Sequence, residues 1–159
     1  MSQQIEKDHF TQALLMMFAE AFENVRGIFL DRGTSIFETL DTISAEEASQ
    51  PISPSCGTIA AQVAHMTFYI DVTVRWMHGD RAQQVDWSAI WNSVSAVTPQ
   101  EWEASKQALR ASYEDLKGLA QTTPWQDTNE IAGAMGMLAH NAFHLGQIRH
   151  ALCVIKPER

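Results

Sequence analysis

His140 and His144 stand four residues apart in the run HNAFHLGQIR, and Gln147 follows three residues after the second histidine. On an α-helix this spacing puts all three on one face, with the two imidazoles about one turn apart and able to point at the same ion. Their neighbours Ala139, Ala142, Phe143, Leu145, Ile148, Ala151 and Leu152 are apolar on nearly every side, which predicts a helix enclosed by others. Two imidazoles in such a place need partners. A divalent metal satisfies both at once, whereas core histidines bonded to carbonyls need a separate acceptor each. The same spacing recurs on ordinary helices, so a third ligand decides whether this is a metal site.

The elements that must position these residues can be read from periodicity and caps. Phe10, Leu14, Phe18, Ala21, Phe22, Val25 and Phe29 repeat at three and four, predicting a first helix over about Lys7 to Leu30, with Gly33 as its stop. Thr34 to Thr42 suggests a short helical piece, Ser44 to Glu47 a capping box, and Pro51, Pro54 and Gly57 an irregular connection. A second long helix is expected from Thr58 as N-cap to His78, with Gly79 ending it. On it Ala61, His65, Phe68, Tyr69, Val72 and Trp76 share a face, making His65 a lone histidine on a core-facing stripe.

Asp80 to Val97 has no clean period, although Trp87, Ile90, Trp91, Val94 and Val97 must cover something apolar. Thr98, Pro99 and Glu101 then form a strong helix start, and Trp102, Leu109, Tyr113, Leu116 and Leu119 or Ala120 mark the buried side of a third helix. Asp127 and Glu130 repeat the capping pattern and open a fourth, ending near Ile155, in which Gly133, Gly136 and Gly146 keep the helix slim for close packing or a pocket.

Four long helices imply an all-α four-helix bundle, with long connections between the first and second and between the second and third. The third and fourth are joined by a few residues and should be antiparallel. The connection before the third helix, about twenty residues, is long enough to climb the full length of the bundle, so the second and third can be parallel, giving up-down-down-up order. Depth agrees. His65 lies about 10 Å into the second helix and His144 about 15 Å from the far end of the fourth, nearly level if those two run in opposite directions. Three imidazoles with an open side is the pattern of a catalytic rather than a structural metal centre.

At 159 residues the chain reads as one domain, 1–159, able to bury a core without a structural metal or disulfides. A net charge of -8 argues against nucleic-acid or anionic-membrane partners. The opening MSQQIEKDHF lacks a secretory pattern and no apolar run reaches spanning length, so a cytoplasmic location is expected, with Cys56 and Cys153 reduced. Cys56 precedes a helix start but reads as a small residue in a turn.

His65 early in the second helix, with His140, His144, Gln147 and Ile148 on the fourth and Thr58-Ile59 and Gly79 bounding the second, resembles the DinB/YfiT-like superfamily of metal-dependent enzymes over essentially the whole chain. The resemblance implies the up-down-down-up bundle, a divalent metal held by His65, His140 and His144, and a homodimer. Characterised relatives include thiol S-transferases and a thiol-dependent isomerase that use bacillithiol, mycothiol or glutathione. The expected function is transfer of a low-molecular-weight thiol to a small electrophile. Its rivals are a hydrolase using metal-bound hydroxide and a non-enzymatic, stress-related metal-binding module. Zn2+ or Ni2+ is the expected cofactor, with Fe2+ also admitted by imidazole ligands. Gln147 is placed to hydrogen-bond a ligand ring or a substrate; no catalytic acid or base is assigned, and Tyr69 and Asp71 are too loosely placed to receive roles. His9, His78 and His150 are read as structural or surface residues.

Overall fold

The computed structural model describes residues 7–53, 56–80 and 84–156; Pro54, in the expected irregular connection, lies outside them. Among the described residues the chain is all-helical: α1 (Lys7–Phe22), α2 (Ile36–Leu40), α3 (Ala45–Ala48), α4 (Ile59–Met77), α5 (Ala89–Ser93), α6 (Pro99–Thr122) and α7 (Thr128–Ile155). The only extended pairing there is an isolated bridge between Ser53 and Cys56. No described helix is long and apolar enough to cross a membrane.

Local chemistry explains most helix starts. Thr58 accepts the Ala61 N–H at 3.2 Å and opens α4. Thr98 and Glu101 exchange side-chain and backbone bonds around Pro99 at the head of α6, and Ser44 with Glu47 does the same at α3. At α7 the pattern differs from the expected reciprocal box. Asp127 accepts from the Asn129 and Glu130 amides, but the Glu130 carboxylate takes the Gln126 N–H instead. Gly79 sits at φ +91 just beyond α4, a left-handed turn that favours glycine.

The first helix is shorter than its periodicity predicts, ending at Phe22 rather than near Leu30. Glu20 is the physical reason. Its side chain is fully buried and its carboxylate accepts four backbone N–H groups, from Arg26 at 2.6 Å, Ile28 at 2.8 Å, and Phe29 and Leu30 at 3.0 Å each. Burial disfavours the ionised carboxylate, but the four donors outweigh it and draw its pKa down to about 2. A helix continued through Leu30 would commit those amides to carbonyls and strand the charge. The chain turns back through Gly27 at φ +85 instead, leaving Phe29 largely exposed and Gly33 well past the helix end.

The four long helices share one core. α4 packs on α6 and α7, and α1 packs on the same two. Phe22 stacks on Tyr113 with ring centroids 4.4 Å apart, and the buried Trp102 indole donates to the Ile43 carbonyl at 2.7 Å. Near the start of α1, Phe10 meets Trp125 edge-on, and the Trp125 indole donates to Thr11 at 2.9 Å. Below the α4 C-terminus, Thr73 and Met77 line the same small apolar cavity as Leu116, Ala120, Gly133 and Met137.

α7 is not enclosed on all sides as its composition suggests. Met137, Asn141, His144, Leu145, Ile148 and Leu152 face the core, while Met135, Ala139, Phe143 and Val154 form an exposed apolar stripe. Its glycines are not there for close packing: a Cβ at Gly133, Gly136 or Gly146 would meet nothing within 4 Å.

Candidate metal centre

α4 carries His65 seven residues beyond its cap, and α7 carries His140 and His144 one turn apart. The structure brings the three rings together. Ring centroids are 5.1 Å apart for His65 and His140, 4.9 Å for His65 and His144, and 4.6 Å for His140 and His144. One nitrogen from each ring lies within 4.8 Å of the others, and among the described residues this is the single such group of metal-capable side chains. Moving forward along α4 from His65 to Tyr69 moves back along α7 from His144 to His140, on which Tyr69 stacks.

Three observations suit a cation. First, Nδ1 of His65, Nε2 of His140 and Nδ1 of His144 are buried without a hydrogen-bond partner, each costing roughly 1–3 kcal/mol unless something satisfies it. Second, the rings are neutral at pH 7. Burial, then the other imidazoles, pushes His140 and His144 down to about 4, and burial lowers His65 as well. Neutral rings keep the lone pairs that a metal takes. Third, the spacing is close to what coordination needs. Zn–N bonds of about 2.05 Å at a tetrahedral angle put nitrogens about 3.3 Å apart, so the rings draw in by at most about 1.5 Å.

The surroundings are aromatic. Trp91 stacks on His65 at 4.3 Å and 21°, Tyr69 stacks on His140 at 3.7 Å and 16°, and Phe143 meets His144 edge-on. Trp87 touches Phe68, Tyr69 and Trp76. Neither Trp91 nor Tyr69 is identified as a site residue by sequence. For Trp91 the available signal was the aperiodic aromatic segment between α4 and α6. It does cover an apolar face, and that face includes the imidazoles.

Gln147 is exposed, and its side chain hydrogen-bonds His144, opposing the fall in that ring's pKa. It also lines a cavity of about 580 Å3 with Ile52, Cys56, Gln62, Trp91 and Asn92. That size suits a small-molecule ligand. Cys56 is exposed in this cavity and is outside the histidine group. Asp71 lies elsewhere, bonded by the Ser112 hydroxyl. His78 caps the C-terminus of α4, and His9 and His150 are exposed. No protein-family model matches the chain, and no curated protein or solved structure does so either.

Proposed function

We propose that the chain is a metal-dependent enzyme that transfers a low-molecular-weight thiol to a small electrophile, with His65, His140 and His144 as the metal ligands. The convergence of three neutral imidazoles, each with one buried nitrogen lacking a partner, carries this reading. A bound Zn2+ or Ni2+, or Fe2+, would supply Lewis acidity, lowering the pKa of a thiol or polarising an electrophile. Three protein nitrogens leave room for substrate. The faces of Trp91 and Tyr69 replace water over His65 and His140, which strengthens electrostatic interactions on that side of the centre. The cavity along Gln62, Asn92 and Gln147 reaches the ligand rings through Trp91, stacked on His65, and Gln147, bonded to His144, and offers hydrogen-bonding groups to orient a polar thiol or electrophile.

The frame for this site is proposed to be a four-helix bundle in up-down-down-up order. Three contacts support it: Tyr69 on His140, Thr73 and Met77 beside Gly133, and Phe10 beside Trp125. A homodimer fits the exposed stripe of Met135, Ala139, Phe143 and Val154, and light scattering at micromolar concentration tests it.

Hydrolysis by the same centre is the alternative. The lining of the adjacent cavity has no carboxylate among the described residues but does include His150, a group able to take a proton from water, so assay and not lining separates the two readings. A screen of metal-loaded protein against thiols and electrophiles separates the readings. Product that forms only when thiol is present supports transfer, thiol-independent water addition supports hydrolysis, and no turnover with any pair supports a binding module.

A further inference from the structure

We propose that Trp91 and Tyr69 are positioning residues for the three-histidine centre, their rings holding His65 and His140 in the convergent orientation. The proposal rests on the metal-centre reading above. At most histidine–metal sites the nitrogen facing away from the ion donates to a carboxylate, a carbonyl or water, and that bond fixes the ring. Here His144 has a hydrogen bond with Gln147, but among the described residues nothing hydrogen-bonds the ring of His65 or of His140, so hydrogen bonding leaves the rotation of those two rings under-determined. Flat surfaces lie against both instead. The indole of Trp91 covers His65 within 21° of parallel, and the phenol of Tyr69 covers His140 within 16°. The terminal torsion of histidine is broad, and a ring stacked against it blocks the rotation that a free imidazole would make.

The two clamps have different supports. Tyr69 lies one turn beyond His65 on α4, so the helix that supplies one ligand also braces another. Trp91 comes from α5, which has no buried residue. Hydrogen bonds from Asp86 to Ser93 are internal to that segment. Its seating on the centre therefore depends on ring contacts, Trp91 on His65 and Trp87 on Phe68 and Tyr69, with Val94 packing on the core just beyond it. Linkage then runs both ways: whatever Trp91 adds to metal affinity, metal adds to the seating of α5.

The test is competition for Zn2+ with a chromophoric chelator, on protein without a histidine tag, for wild type, Trp91→Leu, Tyr69→Leu, Tyr69→Phe and Trp76→Leu. Far-UV circular dichroism checks that each is folded. Loss of about tenfold or more in affinity is expected for Trp91→Leu and Tyr69→Leu, the scale seen when outer partners of metal ligands are removed. Tyr69→Phe, which keeps the ring face, and Trp76→Leu, whose ring touches Trp87 and no ligand, should stay within about threefold of wild type. Zn2+ should also slow amide exchange over residues 84–97 in wild type and not in Trp91→Leu. Unchanged affinity in both leucine variants overturns the proposal, as does an equal loss in Trp76→Leu or in Tyr69→Phe. Wild-type protein that takes up no Zn2+, Ni2+ or Fe2+ overturns the metal-centre reading itself, and this proposal with it.

Discussion

Two clusters of buried polar atoms in this molecule have opposite balances. Around Glu20 the chain folds back so that four amides reach one carboxylate, and the charge is satisfied by the protein alone. Around His65, His140 and His144 the protein gathers three neutral rings and leaves a buried nitrogen on each without a partner. Both cost desolvation. Only the first is repaid within the fold; the second fits the metal site proposed above.

The contrast can be broken by substitution. Glu20→Gln replaces an acceptor of four N–H groups with an amide that carries donors of its own, and the melting temperature should fall by on the order of 10 °C. A fall of only a degree or two in thermal denaturation would show that the 26–30 loop is not held by this carboxylate. His144→Leu should do the reverse in metal-free protein. Removing an unpartnered nitrogen while keeping an apolar body leaves stability within about 1 kcal/mol of wild type, read by urea unfolding, while metal uptake is lost.

Acid should separate the two clusters. His140 and His144 titrate near 4 in the fold against an ordinary 6.5, so between these values the unfolded chain binds more protons than the fold. Metal-free protein should thus lose stability as pH falls from 6.5 toward 4. Glu20, at about 2 against an ordinary 4.5, keeps its full contribution above 4.5 and loses it only as pH falls below that toward 2. Urea midpoints that stay flat from pH 6.5 to 5 would contradict burial of neutral imidazoles. The smallest effect expected is at Gly136, exposed and with nothing near a new Cβ: Gly136→Ala should stabilise by up to about 1 kcal/mol through helix propensity alone.

Legibility in the sequence followed the range of the interaction involved. The starts of α4, α6 and α7 were readable because Thr58, Thr98 and Asp127 act on amides two or three residues away. The convergence of His65 with His140 and His144 was readable because helix spacing and loop length together constrain depth. The end of α1 was not. Val25 and Phe29 continue the apolar period, and Glu20 looks like an ordinary solvent-facing residue until the loop that buries it is seen. α7 misled in the other direction, since an all-round apolar composition hides which side is exposed. Trp91 belongs to a short segment without a period, and only tertiary structure shows that it lies on His65.

Metal stoichiometry tests the three-histidine centre most directly. Protein prepared without an affinity histidine tag, stripped and reloaded, should bind about one equivalent of divalent transition metal per chain, the loading expected of a single three-nitrogen site. His65→Ala, His140→Ala and His144→Ala should each abolish that uptake. Wild-type protein that stays metal-free, or a His144→Ala variant that retains the full equivalent, would contradict it.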